Sequence, residues 1–145
     1  MSHPASTHRA LKHPHRPAHR WALACLAALA GSGAWCATPD SLQSGYAAQA
    51  GSPPSAARGQ VLFTARHGHD WQCSSCHGAV PTQPGRHAAT GKPIGPLAPA
   101  ANAERFTDPA KTEKWFRRNC NDVLGRECSA LEKADVLAWL RSLQP

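Results

Sequence analysis

The amino-acid sequence predicts an all-α domain whose helices enclose an irregular middle segment. Three observations lead to this prediction. No stretch alternates apolar and polar residues with the period of a strand, apolar residues recur at helical spacing in several segments of residues 37–145, and prolines and glycines are frequent over residues 67–103. A domain of about 109 residues builds one small core, which often depends on a disulfide, a metal or a cofactor.

The first 36 residues predict a secretory signal peptide. Four basic residues and no acid precede an apolar run over residues 21–30. The run is shorter than the roughly 20 residues that a permanent membrane span needs. We expect export and cleavage after Cys36 or Ala37, with an uncleaved anchor as the alternative, and a mature domain over residues 37–145. Without this leader the net charge falls from +7 to +3, so the basic balance is no sign of nucleic-acid binding.

Two helices are predicted before the middle segment. The first covers residues 38–49, with Pro39 in its first turn and a Gly-Ser-Pro-Pro break after it. The second covers residues 55–66. Gly59 inside it costs about 1 kcal/mol relative to alanine, which suggests that another helix approaches closely there.

Two further helices are predicted after the middle segment. Asp108 is a suitable N-cap and Pro109 a suitable first residue for a helix that ends at about Arg118. Ser129 and Glu132 form the pattern of a capping box. The last helix then carries an apolar stripe made of Leu131, Val136, Leu137, Leu140 and Leu143.

The strongest motif is Cys73-Ser-Ser-Cys76-His77. Two thiols at this spacing attach to the vinyl groups of one haem, and the adjacent imidazole becomes the proximal iron ligand. A zinc site would need two more soft ligands nearby, and a thioredoxin-like site would need a βαβ unit. The sequence offers neither, so it predicts one covalent haem c.

The sequence alone does not identify the sixth iron ligand. The usual methionine is not available, since Met1 is the only methionine and lies in the leader. His67 and His69 stand too close to Cys73 to reach the opposite haem face readily. His87 would give bis-histidine ligation, and Asn119 and Asn121 follow the predicted helix. The donors to weigh, besides water, are Tyr46, His67, His69, His87, Lys92, Asn102, Asn119 and Asn121.

Cys120 and Cys128 are the cysteines that remain once the leader and the haem thiols are set aside. Export favours a bridge between them. The bridge would hold the backbone beside Asn119 and Asn121, or would serve only as a stabilising link.

Several short segments of the mature chain resemble one family of cytochromes. They are residues 90–94 (TGKPI), 96–99 (PLAP), 105–108 (RFTD), 113–115 (EKW), 118–121 (RNCN), 125–126 (GR), 132–135 (EKAD) and 137–140 (LAWL). Together with the haem motif they resemble the sphaeroides haem protein (SHP) family, which are small class I cytochromes c that bind oxygen. The segment around His67 and His69 does not match the family pattern.

This resemblance implies a class I fold with one haem, iron ligands His77 and Asn119, and a Cys120–Cys128 disulfide. It also implies that the asparagine leaves on reduction and that oxygen or nitric oxide then binds. The redox partners implied are a dihaem cytochrome c and a membrane cytochrome b.

Further residues are expected around the haem. Donors available to the propionates are Lys92, Arg105, Arg117, Arg118 and Arg126, and the packing residues are Phe63, Trp115, Phe116, Trp139 and Leu140. A carbonyl of residues 95–97 is expected to accept the Nδ1 proton of His77.

Three functions follow as hypotheses. The first is an exported, periplasmic one-electron carrier with a releasable asparagine that also admits diatomic gases. The second is a bis-histidine carrier through His77 and His87, and the third is a haem reductase of nitric oxide, oxygen or peroxide. The chain shows no suitably placed distal acid or base, which favours a carrier or ligand-binding protein over an enzyme with its own substrate.

Overall fold

The computed structural model describes residues 37–68 and 70–145, so the predicted leader and His69 lie outside the described residues. The described helices are α1 (Pro39–Ala50), α2 (Ala56–Thr64), α3 (Cys73–His77), α4 (Pro109–Leu124) and α5 (Ala130–Ser142). None of them combines the length and the apolar character needed to cross a bilayer. The all-α prediction is confirmed, although the middle segment is less irregular than expected.

That middle segment contains two elements that the sequence did not predict. One is the short helix α3, and the other is a pair of two-residue strands, β1 (Gly85–Arg86) and β2 (Pro93–Ile94), which run antiparallel. Strands of two residues are too short to leave a readable alternation of apolar and polar positions. The pair forms a small hairpin that closes one side of the site described below.

The ends of α1 and α2 follow local capping chemistry. Thr38 and Ser41 form a capping box at the start of α1, and Gly51 ends it with a φ of 62°. Ser55 caps α2, which ends at Thr64, two residues before the predicted end, because Ala65 is already extended.

The largest difference from expectation is the length of α4. The sequence predicts an end near Arg118, but the helix continues to Leu124 and ends at Gly125, whose φ is 67°. Residues 119–124 contain neither proline nor glycine, so nothing interrupts the backbone ladder before Gly125. Asn119 and Asn121 therefore lie inside the helix rather than after it.

The core is built on α5, which packs against α1 and α2. Val136, Trp139 and Leu140 of α5 form one buried cluster with Phe63 of α2. Ala134 and Leu137 form a second cluster with Tyr46 of α1. The capping box of Ser129 and Glu132 at the start of α5 is present as predicted.

The predicted close approach at Gly59 is confirmed. A Cβ atom at this position would lie 2.0 Å from the backbone oxygen of Asp135 in α5. The Asp135 carboxylate is nearly fully buried and accepts hydrogen bonds from the Ser55 amide and the Arg58 guanidinium. This contact fixes the crossing of α2 and α5, from which Phe63 faces the site.

Candidate haem site

The helix α3 presents both motif cysteines and the histidine on a single turn and a half. The Gln72 amide donates to Ser75 Oγ at 3.1 Å and secures the start of the helix. Cys73 and Cys76 are half-buried and neither is in a disulfide. Because residues three apart share one side of a helix, both thiols face the same space.

That space is a partly open cavity of about 680 Å³, lined by α3, the β1–β2 hairpin, the loop after the hairpin, α4 and parts of α2 and α5. Cofactor sites have volumes of roughly 300–1,000 Å³ and mostly apolar walls with few polar groups. The residues that the sequence predicts as haem thiols, iron ligands and disulfide partners all line this cavity, and so do Lys92, Arg105, Trp115 and Arg118. The first group is Cys73, Cys76, His77, Asn119, Cys120 and Cys128.

The thiol of Cys73 has the character of a buried structural cysteine. Burial raises its pKa to about 11, and the neighbouring Cys76 adds to the shift. Redox-active cysteine pairs instead have a lowered thiol pKa that supplies the thiolate. The raised value therefore speaks against a thioredoxin-like role for the motif.

His77 offers a neutral imidazole to the cavity. Burial, together with the positive charge of Arg105, lowers its pKa from 6.5 to about 4. The ring therefore keeps a free lone pair at neutral pH, as an iron ligand requires. Phe63 lies beside it, with 6.1 Å between ring centroids.

The prediction that a carbonyl of residues 95–97 accepts the Nδ1 proton of His77 is wrong. Among the described residues this buried nitrogen has no hydrogen-bond partner. The Pro96 carbonyl instead accepts from Arg105 Nε at 2.8 Å and from Asn102 Nδ2 at 3.3 Å, and the Gly95 carbonyl accepts from Arg105 Nη2 at 2.7 Å. Arg105 thus braces the loop beside His77.

The three asparagines near the site differ in whether their side-chain amides are free to bind a ligand in the cavity. Asn119 is half-buried and lines the cavity, and its side chain makes no hydrogen bond to another described residue. Asn121 is exposed, does not line the cavity and donates to the Arg117 carbonyl at 2.7 Å. Asn102 lines the cavity, but it donates to Pro96 and accepts from the Glu104 amide. Asn119 is therefore the asparagine with a free amide in the cavity.

The other side chains considered as iron ligands also differ in whether they line the cavity. His87 lines the cavity, and its Nδ1 accepts from the Thr90 amide at 3.3 Å. His67 does not line it and donates from Nε2 to the Leu62 carbonyl at 2.9 Å. Tyr46 is buried in the core away from the cavity wall.

The hairpin that carries His87 is anchored directly on α3. A Cβ atom at Gly85 would lie 2.1 Å from the Cys76 carbonyl oxygen, and the Ala88 amide donates to Cys76 Sγ at 3.3 Å. His87 therefore stands on the part of the wall that adjoins the cysteine motif, whereas Asn119 comes from α4.

A disulfide joins Cys120 to Cys128, as expected. Both of its residues line the cavity, and Cys120 directly follows Asn119. The bridge ties the last turn of α4 to the segment that leads into α5, so the backbone beside Asn119 is held covalently.

The residues expected to pack around the haem are partly confirmed. Phe63, Trp115, Phe116 and Leu140 line the cavity, while Trp139 lies behind Phe63 at 4.8 Å between ring centroids. Of the expected propionate donors, Arg117 is exposed outside the lining and Arg126 pairs with Glu132 at 2.7 Å.

Several lining residues are absent from the sequence prediction, among them Lys111, Phe106 and Trp71. Phe106 has a φ of 60° and packs against both core clusters, and no sequence signal marks a phenylalanine for this backbone conformation. Trp71 stands edge-on to His87 at 6.5 Å between ring centroids. An aromatic residue two positions before Cys73 is a sequence feature that predicts a place for Trp71 beside the haem motif.

The donor set fits a haem c. The cavity brings together two unbridged thiols, a neutral imidazole and a free amide inside an apolar wall with four basic side chains. These four are Lys92, Arg105, Lys111 and Arg118.

Comparisons with known proteins agree with this site. Residues 49–140 match a protein family described as a domain of unknown function, DUF1924. The chain is 50% identical over 107 residues to the cytochrome c-type protein SHP of Cereibacter sphaeroides, covering 71% of this chain and 82% of that protein.

Solved structures show the same likeness. The structure of oxidized SHP, an oxygen-binding cytochrome c, matches with a TM-score of 0.70 and 49% identity over 74% of this chain and 98% of that one. A solution structure of cytochrome c'' from Methylophilus methylotrophus, concerned with haem-ligand detachment, matches with a TM-score of 0.67 and 35% identity over 74% and 94% of the two chains. The chain therefore belongs to the DUF1924 family and, with SHP, to the class I c-type cytochromes that carry one covalent haem c.

Proposed function

We propose that the protein is an exported one-electron carrier whose oxidised form is held six-coordinate by His77 and Asn119. Asn119 leaves when the protein is reduced, and the vacated position admits a diatomic gas such as oxygen or nitric oxide. The haem supplies an iron that changes its charge by one unit and accepts such gases in the ferrous state. The residues around the cavity determine which side chain competes with the gas for that iron.

One observation carries this proposal: of the asparagines that line the cavity, Asn119 is the one whose side chain makes no hydrogen bond to another described residue. A sulfur ligand is not offered, because the chain has one methionine, Met1, in the predicted leader. The disulfide at Cys120 supports a fixed approach of the Asn119 side chain.

An amide oxygen is a weak, neutral and hard donor. Such donors suit ferric iron better than the softer ferrous iron. Reduction is therefore expected to loosen Asn119, whereas a methionine would bind the ferrous state firmly. Exchange of the ligand then follows the redox state without any acid or base from the protein.

The relatives support this function at a coarser level. SHP is named an oxygen-binding cytochrome c, and cytochrome c'' is studied for haem-ligand detachment. The leader-like residues 1–36 favour export to the periplasm. A dihaem cytochrome c and a membrane cytochrome b are the partners that the family resemblance suggests.

A bis-histidine carrier is the second candidate, because His87 lines the cavity with its Nε2 free of hydrogen bonds to described residues. Two features weigh against it. The hairpin holds His87 beside Cys76, and a His77–His87 pair would leave Asn119 without a role in the cavity.

Visible spectra of the purified holoprotein test the proposal. The ferric form is expected to be low-spin, and the dithionite-reduced form is expected to bind carbon monoxide. In Asn119→Ala the haem stays attached, but the ferric spectrum becomes high-spin or water-ligated. Asn121→Ala is the matched control, since this exposed residue lies two positions further along α4, and its spectra should equal those of the unaltered protein.

Two results would overturn the proposal. A ferrous protein that stays six-coordinate and ignores carbon monoxide would exclude release of the ligand. A ferric spectrum that changes in His87→Ala but not in Asn119→Ala would assign the sixth position to His87.

A further inference from the structure

Glu113 of α4 and Lys133 of α5 form an ion pair outside the haem cavity. Lys133 Nζ donates to both carboxylate oxygens of Glu113, at 2.8 and 3.1 Å, and the lysine side chain is only 14% exposed. Neither residue lines the cavity, so the pair is a contact within the protein that does not depend on what the cavity holds. Among the described residues it is the one side-chain hydrogen bond or ion pair that joins α4 to another helix.

Tyr46 of α1 completes this contact. The residue is 7% exposed, and Lys133 Nζ lies 5.4 Å from the centre of its ring. The ring also meets Phe116 of α4 edge-on, with 6.0 Å between ring centroids. A cation over an aromatic face is attracted to the ring, and more strongly where water is excluded. Because α1, α4 and α5 meet here, we call Tyr46, Glu113 and Lys133 the α4 anchor.

Lys133 is the partner that holds Glu113 in place. Burial by itself would raise the pKa of Glu113, but Lys133 and the neighbouring Tyr46 hydroxyl hold that pKa below its usual value. Burial first, and the Glu113 carboxylate second, raise the pKa of Tyr46. The Tyr46 hydroxyl lies near the carboxylate, yet it makes no hydrogen bond of normal geometry to a described residue. The directed contact of Glu113 is therefore the one with Lys133.

Two links, one ionic and one covalent, join α4 to the α5 side of the molecule. The covalent link is the disulfide from Cys120 to Cys128, in the segment that leads into α5. Glu113 and Cys120 are seven residues apart, which is about two turns and about 10 Å along the axis, so both links lie on one side of the helix. Two links at this separation fix the tilt of α4 and limit its rotation about its own axis.

The geometry of α4 matters for Asn119, which lies between the two links. It extends from the helix about 120° around the axis from Glu113, toward the cavity. A rotation or tilt of α4 therefore changes the reach of its amide directly. Apart from the two links, α4 has little to hold it, since α1 and α2 pack broadly on α5 while α4 packs broadly on none of the described helices.

We propose that Glu113 and Lys133 are positioning residues that set how firmly Asn119 closes the sixth iron position. This inference rests on the proposed role of Asn119 as the ferric ligand. The pair acts by fixing the helix that carries the amide, without touching the cavity. An amide is a weak ligand, so its hold on the iron depends on the residues that orient it.

Binding of cyanide to the ferric holoprotein measures the release of Asn119. At saturating cyanide the observed rate equals the rate at which the amide leaves the iron. Glu113→Gln keeps the size of the side chain and removes its charge. We expect it to raise this limiting rate about fivefold, which is less than the roughly 10–100-fold effect of removing a ligand's own hydrogen bond. Part of the ferric spectrum should become high-spin.

A double-mutant cycle shows whether the two residues act as one contact. Lys133→Met is expected to raise the limiting rate as much as Glu113→Gln does. The double variant should be no faster than either single variant, because all three lack the same interaction. Rate increases that multiply in the double variant would show two independent effects and would contradict the proposal.

Asp40→Asn is the matched control. Asp40 pairs with Arg141 and so joins α1 to α5, and its substitution also removes one negative charge. The limiting rate and the ferric spectrum should stay unchanged, because α4 is not involved. Equal acceleration in Asp40→Asn and Glu113→Gln would reveal a general loosening of the helices and would overturn the proposal. Tyr46→Phe keeps the ring and should also be neutral, whereas equal acceleration there would give the role of Lys133 to the Tyr46 hydroxyl.

The Asn119→Ala background separates this inference from the proposed function. In that background Glu113→Gln should cause no further acceleration, and a further rise would show that the pair does not act through Asn119. If Asn119→Ala itself kept the limiting rate of the unaltered protein, Asn119 would not be the ligand and the proposed function would fail. A Glu113→Gln protein that melts at a lower temperature, but keeps its cyanide rate and ferric spectrum, would reduce the pair to a stabilising contact and leave the carrier function intact.

Discussion

At the residue scale, Gly59 shows how one missing side chain sets the geometry of the core. The backbones of α2 and α5 meet where a Cβ atom would lie 2.0 Å from the Asp135 oxygen. No ordinary contact is that short, so any larger residue must push the helices apart. Because Phe63 lies one turn further along α2 and reaches both Trp139 and His77, such a shift reaches the site.

We expect Gly59→Ala to lower the free energy of unfolding by roughly 1–3 kcal/mol, the usual cost of overpacking. Urea denaturation of the holoprotein measures this change. Gly45→Ala in α1 is the matched control, because nothing lies within 4 Å of a Cβ atom there, and alanine should stabilise that helix by about 1 kcal/mol. A Gly59→Ala variant as stable as Gly45→Ala would contradict the close contact.

Some residues of the haem site can be recognised from the sequence alone, and others cannot. Cys73, Cys76 and His77 are defined by their spacing alone, which has a specific chemical use. Asn119 depends on comparison with a family, since an asparagine near a helix end is ordinarily a capping residue. Phe106 was not predictable, because its φ of 60° is imposed by packing against both core clusters.

At the element scale, the start of α5 is held by a small charged cluster. Glu132 accepts from the Ser129 amide at 2.8 Å and pairs with both terminal nitrogens of Arg126. The hydrogen bond from Arg126 lowers the pKa of Glu132 from 4.5 to about 2, against the opposing effect of burial. The cluster therefore joins the segment after the disulfide to the first turn of α5.

The lowered pKa predicts a specific loss of stability in acid. A depressed folded-state pKa stabilises the protein above pH 4.5, and this contribution disappears as the pH falls toward 2. In Glu132→Gln the contribution is absent, so the stability difference from the unaltered protein should shrink between these two pH values. Thermal unfolding at a series of pH values measures that difference.

Glu127→Gln is the control for this experiment, because Glu127 is exposed and its carboxylate has no ion pair among the described residues. A difference between Glu132→Gln and the unaltered protein that stays constant from pH 5 to about pH 2 would contradict the charged cluster.

The elements themselves were predictable to different degrees. The predicted capping residues Asp108 and Ser129 mark the starts of α4 and α5 correctly, since each start depends on one local side chain. The sequence prediction ends α4 near Arg118, six residues early, whereas the helix continues to Leu124 and is capped by Gly125. The short helix α3 was missed, since its five residues are held by contacts with the hairpin and not by helix propensity.

At the scale of the whole molecule, the haem cavity is large relative to the domain. About 680 Å³ lies between α3, the hairpin, α4 and the facing sides of α2 and α5, while the fully buried core clusters belong to α1, α2 and α5. Apolar residues that line such a space lack contacts unless a cofactor fills it. The fold and its cofactor are therefore expected to form together.

We expect a chain that cannot attach haem, Cys73→Ala/Cys76→Ala, to keep much of its helix content but to lose cooperative unfolding. Far-ultraviolet circular dichroism, near-ultraviolet circular dichroism and binding of the dye ANS distinguish such a loosely packed state. Ser74→Ala, in the same helix with both thiols intact, should bind haem and unfold cooperatively. A sharp, unchanged thermal transition in the double variant would show that the fold does not need the cofactor.

The fold class was predictable because helical periodicity and capping signals occur on both sides of the irregular middle segment, over residues 38–66 and 108–143. The shape of the cavity was not, because it depends on where the proline-rich middle segment turns, and the turns around β1 and β2 depend on contacts with α3 and between the two strands rather than on a sequence pattern.

The cysteines impose an order on the making of this protein. Two of the four in residues 37–145 must remain thiols until they are alkylated, while the other two must be oxidised together. Four thiols allow three pairings. All four line one cavity, so mispaired disulfides compete with the Cys120–Cys128 bridge. We therefore expect biogenesis to need a reductant that keeps Cys73 and Cys76 as thiols and an oxidant that forms the Cys120–Cys128 bridge on the same chain.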